Sequence, residues 1–344
     1  MHLRRFFARR ALRIQAGILA TNTWNTRTLS ANINLYGLCW SPELEIFVSV
    51  FYNHVTIGAA TSPDGITWTT AGNNLPAYQA WYSVCWSAEL GIFVAVCHGG
   101  TYACATSPDG INWTNRTGSA GLPPSVNWFS VCWSAELGIF CAVVNNSATY
   151  GSAISSDGIN WTAYSGTGHL PFSESYRIVC WSPELLLFVT IATTSSTNGA
   201  FFSSDGLHWT AASTNIPFGG AYSWYGSCWS PELGLFCAVG SFSAIGNATS
   251  PDGKNWTIQN GANHLAYIPS SWGDVCWSAE LGIFVAVNSN SSGNSVATSP
   301  DGINWASKTS LPNYAWYGIC WSPKLGIFVT TGHNATGCAT SRMA

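Results

Sequence analysis

Charge is what this sequence has least of. Only 8% of its 344 residues are Asp, Glu, Lys or Arg, against 47% hydrophobic ones. No run reaches the ~18 apolar residues that a membrane-crossing helix needs, so no transmembrane segment is expected and the apolar content must be folded inward. Basic stripes are missing too. Five of the twelve Lys and Arg residues, Arg4, Arg5, Arg9, Arg10 and Arg13, lie in the first thirteen positions, leaving seven basic against fifteen acidic residues, or −8 (7 − 15), for the rest. That balance excludes nucleic acid as a partner of the body of the chain. The seven histidines show neither His-x-x-x-His nor Cys/His zinc spacing, so no metal and no cofactor is expected. Between the apolar runs stand Gly, Ser, Thr and Asn, which suit many short strands and turns rather than helices.

What is present is a repeat. Ser107-Pro108-Asp109-Gly110-Ile111-Asn112-Trp113-Thr114 recurs at Ser62 to Thr69, Ser155 to Thr162, Ser203 to Thr210, Ser250 to Thr257 and Ser299 to Trp305, at intervals of 45 to 49 residues. A fixed period of that size signals a repeat architecture. A second motif, Cys-Trp-Ser-(Ala/Pro)-Glu-Leu-Gly-Ile-Phe-Val, alternates with it. Its seven Cys-Trp pairs begin at Cys39, Cys85, Cys132, Cys180, Cys228, Cys276 and Cys320.

The octapeptide has the chemistry of a tight turn between strands. Gly110 supplies a positive φ, the Asp109 carboxylate can fold back onto backbone N–H groups, Pro108 fixes φ before it, and Trp113 anchors the next strand. Asp64, Asp157, Asp205, Asp252 and Asp301 hold the equivalent structural position. The motif resembles the Asp-box, or BNR repeat, of sialidase-like β-propellers, in a variant one residue shorter between Asp and Gly than the usual S-x-D-x-G-x-x-W. The resemblance extends to uncharacterised Asp-box-like propellers of large DNA viruses, phages and bacteria.

One unit reads as four strands: Phe129 to Ser134 (A), Ile139 to Val144 (B), Gly151 to Ser155 (C) and Ile159 to Ala163 (D), with the octapeptide between C and D. Four short antiparallel strands per repeat describe a propeller blade. The seven Cys-Trp units meet only six complete octapeptides, since the last unit stops near Ser341. The missing strand has a candidate around Trp24, within residues 21–30. The expected fold is therefore an all-β, seven-bladed β-propeller of four-stranded antiparallel blades, one domain over 21–344, closed by an N-terminal strand that completes the last blade. Blades start near 35, 81, 128, 176, 224, 272 and 316, and residues 1–20 form a basic arm.

Tryptophan placement separates core from candidate site. Of nineteen Trp, seven follow the strand A cysteines and seven occupy the strand D position if Trp24 is counted; these fourteen read as interblade core. The other five, Trp81, Trp128, Trp224, Trp272 and Trp316, each stand five residues before a Cys-Trp tryptophan, with Leu35 and Tyr176 in the equivalent places. Two readings stand for them. They cap the core between blades, or they rim the central channel together with Tyr36, Tyr82, Phe129, Arg177, Tyr225 and Tyr317. The second makes a ligand-binding surface of Trp81, Trp128, Tyr176, Trp224, Trp272, Trp316, Tyr82, Tyr225, Tyr317 and Arg177. It lies on the face of the B–C and D–A loops, whose sequences vary between blades while the A–B and octapeptide turns do not.

On the opposite face Glu43, Glu89, Glu136, Glu184, Glu232 and Glu280, with Lys324 breaking the series, read as solvated turn residues. The strand A cysteines read as small buried hydrophobes, and Cys97/Cys104, Cys132/Cys141 and Cys228/Cys237 are candidate pairs for bridging. The Arg-rich arm fits a mitochondrial-type targeting peptide, a frayed tail or a contact with an anionic surface. The sequence does not fix a compartment; a virion or intracellular location is favoured over secretion, since the apolar stretch Ala16 to Ala20 is too short for a secretory signal.

The function expected is non-enzymatic recognition of a glycan or protein through the aromatic-rimmed face, with no catalytic residue. The alternatives are a structural or assembly protein of a virion or surface complex, and a sialidase-like glycoside hydrolase. The hydrolase implied by the resemblance needs an arginine triad, but after Arg13 there are only Arg27, Arg116, Arg177 and Arg342, at unlike repeat positions. Apart from Glu45, Glu174 and Asp274 the acids belong to the two turn motifs, whereas glycoside cleavage needs paired carboxylates in one cleft.

Overall fold

The structure, a computed structural model, describes residues 23–27 and 34–341, apart from short stretches at 53, 55, 71, 118–120, 146, 148, 172–173, 194–198, 214–215, 217–221, 243–246, 261–264, 266–270, 291–294, 309–310, 313 and 334–336. The basic arm and the variable loop residues Thr194 to Ser196 lie outside the described residues. Every regular element described is a β-strand.

Seven antiparallel sheets stand around a ring, six of them running from an inner strand A to an outer strand D. The inner strands are Leu35–Ser41, Ala80–Ser87, Trp128–Ser134, Tyr176–Ser182, Tyr222–Ser230, Trp272–Ser278 and Ala315–Ser322. Each packs on the next, and the seventh returns to the first, so the fold is a seven-bladed β-propeller. Trp24–Arg27 pairs antiparallel with Cys338–Ser341, Trp24 facing Ser341 and Arg27 facing Cys338. The N-terminal strand thus serves as strand D of blade seven, which leaves no open edge at the seam. Blade one is the irregular one. It has three strands, and Thr69 replaces a fourth by exchanging two backbone hydrogen bonds with Thr61 (3.0 and 2.9 Å).

The octapeptide forms its turn by the chemistry read from its residues. Asp109 Oδ1 accepts from the backbone N–H of Ile111 (2.8 Å) and Asn112 (2.7 Å), and Ser107 Oγ accepts from Gly110 N–H (2.9 Å). The Trp113 indole N–H donates to the Gly110 carbonyl at 2.9 Å. Because Ile159 and Asn160 likewise serve the Asp157 carboxylate, strand D of blade three begins at Thr162, three residues later than expected. Gly110 is required twice over: φ is +74°, and a Cβ there would sit 2.6 Å from Val48 of blade one. Each turn is therefore also packing between neighbours.

The cores lie between blades. Val48, Val50 and Ala59 of blade one pack with Trp81, Val84, Phe93 and Trp113 of blade two, and Trp24 joins the corresponding cluster between blades six and seven. Strands B are buried on both sides, as in Ile283–Asn288, which explains their near-continuous apolar sequence.

The turn glutamates differ from the solvated role expected of them. Trp133 Nε1 donates to Glu89 Oε2 (2.7 Å) and Trp181 Nε1 to Glu136 Oε2 (2.7 Å), and the same bond joins Trp86 to Glu43, Trp229 to Glu184, Trp277 to Glu232 and Trp321 to Glu280. A carboxylate acceptor strengthens such a bond, so these turns clasp successive blades. All twelve cysteines are thiols. Cys132 faces Cys141 and Cys228 faces Cys237, whereas Cys104 faces Val96 rather than Cys97.

Candidate binding site in the central channel

The site begins with a bulge in each inner strand. In blade two Trp81 faces Cys97 but Ser83 faces Val96, so Tyr82 is an extra residue. Blades three, five, six and seven repeat this at Phe129, Tyr225, Gly273 and Tyr317, and the registers of blades one and four slip at the same place, around Tyr36 and Arg177. A bulge re-aims a side chain. Here it sends consecutive residues to different places: the first into the core between blades, the second into the channel.

Six of the expected ligand-binding residues are corrected by this geometry. Trp81, Trp128, Tyr176 and Trp224 are 0% exposed, Trp316 1% and Trp272 2%. They cap the interblade core and present no surface to a ligand. The sequence carries a signal for this in the Leu-Pro dipeptides upstream. Trp81 Nε1 donates to the Pro76 carbonyl (2.9 Å), Trp128 Nε1 to Pro123 (3.1 Å), Trp316 Nε1 to Pro312 (3.2 Å) and the Tyr176 hydroxyl to Pro171 (3.2 Å), while Leu75, Leu122, Leu170 and Leu311 are buried beside them. A proline carbonyl held at that distance satisfies the polar end of a large ring that is otherwise buried.

The other four, Tyr82, Arg177, Tyr225 and Tyr317, come together in the channel with Tyr36 and Phe129, all half-buried. Ring centroids step from Tyr317 to Tyr36 (4.5 Å), Tyr36 to Tyr82 (4.5 Å) and Tyr82 to Phe129 (4.1 Å). The Arg177 guanidinium continues the belt, 5.3 Å from the Phe129 centroid and 4.7 Å from that of Tyr225. Such cation–π contacts hold an arginine without neutralising it. Blade six interrupts the belt. Its bulge residue is Gly273, where a Cβ would sit 2.6 Å from the Trp316 carbonyl oxygen, so blade six contributes no side chain from that position.

Together these residues enclose a cavity of about 590 Å³, within the size range of small-ligand sites. Deeper along the strands its wall is Leu38, Val84, Val131, Val179, Val275 and Ile319, while Ser271, Asp274, Ser289 and Asn290 give blade six a polar side. Asp274 takes the place of Ser83 and Ser130, which accept the backbone N–H of Val131 (3.2 Å) and Val179 (3.1 Å) in the next blade. Its carboxyl does the same for Ile319 N–H (3.1 Å) and also accepts from Val275 N–H (2.8 Å). Burial raises its pKa to about 7 against the lowering by these two bonds.

Burial also pushes the Tyr36 and Tyr82 hydroxyls well above the usual phenol range. It lowers His333 to about 4, and with help from Arg177 it lowers His98, so both rings beside the belt are neutral at pH 7. Tyr78, 66% exposed on the D–A loop after blade one, is an aromatic that the tryptophan pattern passed over; its N–H is tied to the His54 carbonyl at 2.8 Å. Among the described residues no helix is long and apolar enough to cross a membrane, and no group of three or more His, Cys, Asp or Glu is placed to hold a metal ion.

No family model matches the sequence, and no curated protein matches it. Solved structures share the fold. The chain is similar to the extracellular domain of the one-component system BT4673 of B. thetaiotaomicron, at 10% identity and a TM-score of 0.65. A second structure, of the extracellular domain of the hybrid two-component system BT4673 of B. thetaiotaomicron, gives 9% and 0.68. In both, 94% of this chain is covered, but it spans only 40% and 43% of theirs. A chain of the mitotic checkpoint complex is similar at 11% identity and a TM-score of 0.67, over 94% of this chain and 92% of that one. At such identities the likeness establishes the propeller and no more.

Proposed function

We propose that this protein is a non-enzymatic recognition module that binds glycan or protein on the face of its B–C and D–A loops, around the mouth of the central channel. The observation that carries this reading is the belt of Tyr36, Tyr82, Phe129, Arg177, Tyr225 and Tyr317 around a 590 Å³ cavity. Aromatic faces with one cation and a polar flank suit stacking on sugar rings or anchoring a protein side chain. The fold is consistent with it, since the similar structures include an extracellular domain and a member of a protein complex.

The carboxylates support a binder over a hydrolase. Among the described residues Asp274 is the one acid lining the cavity, and each of its oxygens accepts a backbone N–H group. Glu45, on an A–B turn of the opposite face, pairs with Lys324. Two carboxylates facing one cleft, the requirement for glycoside cleavage, are not found among the cavity residues.

A second reading, assembly into a larger particle, draws on that opposite face. Leu44, Leu90, Leu137 and Leu185 of the A–B turns and Ile66, Ile159 and Ile303 of the octapeptide turns are exposed there. Repeated apolar side chains of this kind suit a contact surface. A glycan array together with sizing of the purified protein separates the readings: saturable binding by a monomer supports recognition, whereas a silent array and self-assembly support a structural role.

A further inference from the structure

Among the described residues Arg177 is a charge without a counter-ion. Among the described residues the ion pairs are Asp205 with His208 and Glu45 with Lys324, so no carboxylate comes within 4.0 Å of the Arg177 guanidinium. Its Nε is buried with no hydrogen-bond partner, and the groups that hold it are the faces of Phe129 and Tyr225. A guanidinium withdrawn from water by aromatic rings and left without a counter-ion favours an anion in the space it borders. Asp274, the acid lining the same cavity, forms no ion pair with it and holds backbone N–H groups of Val275 and Ile319 instead.

The second observation is the gap in the belt. Six blades contribute Tyr36, Tyr82, Phe129, Arg177, Tyr225 and Tyr317, and contacts between neighbours run unbroken from Tyr317 through Tyr36 to Tyr225. Between Tyr225 and Tyr317 stands Gly273, with no side chain. Blade six therefore adds no ring to the belt between the two tyrosines, and Ser271, Ser289 and Asn290 line the cavity on that side.

We propose that the cavity binds a small planar aromatic carboxylate, its ring seated at the blade-six gap between Tyr225 and Tyr317 and its anion drawn to Arg177. This rests on the reading of the channel mouth as a binding site and gives that site a small-molecule ligand class. Planar π faces pair with the tyrosines, and among the described residues the guanidinium is the one Lys or Arg side chain lining the cavity.

The test is calorimetric titration of the purified full chain with benzoate, beside benzamide, which keeps the ring without the charge, and cyclohexanecarboxylate, which keeps the charge without the planar ring. Benzoate is expected to bind at least tenfold more tightly than either, and Arg177→Gln to weaken it at least tenfold. Should that variant misfold, a crystal of the parent protein soaked in 4-iodobenzoate gives the answer alone, with iodine density expected in the channel beside Gly273. Equal binding of benzamide, no binding of benzoate, an unaffected Arg177→Gln variant or iodine density outside the channel overturns the proposal. A parent protein that binds on a glycan array but ignores benzoate refutes this inference while leaving the recognition reading standing; benzoate binding with a silent array does the reverse for glycans.

Discussion

The Trp86 indole of blade two donates to the Glu43 carboxylate of blade one at 2.6 Å, and the equivalent bond joins every neighbouring pair of blades except the seventh and first. At that seam Lys324 holds the glutamate position, and the Trp40 indole N–H has no partner among the described residues. Lys324 pairs instead with Glu45, which stands at φ +57° where most other A–B turns have glycine. The place where the ring is closed by chain ends is thus also the place that lacks its side-chain clasp.

Restoring the repeat at that seam is expected to stabilise the fold. Lys324→Glu with Glu45→Gly adds a hydrogen bond of about 1 kcal/mol and removes a strained backbone residue of roughly 1 kcal/mol. The exposed ion pair it removes is worth only about 0–1 kcal/mol. Denaturant unfolding should show a midpoint above that of the parent; an unchanged or lower midpoint means that the seam is not limited by the missing clasp. Glu136→Ala, which orphans Trp181, should lower it.

Consecutive residues at the bulge should separate stability from recognition. Trp128→Ala empties a fully buried site and is expected to cost about 3–5 kcal/mol. Phe129→Ser next to it opens the channel wall and should cost much less, while reducing ligand binding. Thermal unfolding and binding on the same two variants check this. Equal destabilisation by both means that the bulge does not divide the two roles.

The aromatic belt also shows where sequence stops informing. Seven Cys-Trp units, six octapeptides and Trp24 were enough for the blades, the closure and the interblade tryptophans, because each rests on a local rule of turn chemistry or period. Trp81 and Tyr82 were not distinguishable that way. A bulge is set by pairing with strand B, and the register of Trp81 with Cys97 and Ser83 with Val96 is what sends the tryptophan to the core and the tyrosine to the channel. The sequence marks this through the Leu75-Pro76 dipeptide that receives the Trp81 indole, not through the repeat period. The role of Glu43 escapes the sequence for a related reason: its partner Trp86 is forty-three positions away in the next blade, beyond any local pattern.

Asp274 should impose a pH dependence of its own. Its folded pKa, raised to about 7, lies above the unfolded value of ~3.9, so stability is highest below pH ~4 and falls as pH rises towards ~7. Asp274→Ser supplies the hydroxyl that blades two and three use and removes that fall. At pH 8 the variant should be more stable than the parent by roughly 1–4 kcal/mol, and equal to it near pH 4. A constant difference across this range contradicts the assignment.

The octapeptide aspartates act in the opposite direction. Burial raises the Asp205 carboxyl, but bonds from His208, Leu207 and Ser203 outweigh it and hold the pKa at about 2. A depressed folded pKa gives stability that is present above pH ~4 and lost as pH falls through about 2. Asp205→Asn should flatten the thermal midpoint between pH 5 and 2 relative to the parent, and an identical slope would show that the turn carboxylate is not linked to folding.

The central claim, that recognition belongs to the channel mouth, is tested most directly by a glycan and protein-ligand array probed with the parent and two folded variants. Tyr82→Ser/Tyr317→Ser alters the belt, and Leu90→Ser/Leu137→Ser alters the opposite face. Loss of signal in the first variant with retention in the second is the predicted result; retention in the first with loss in the second contradicts the account.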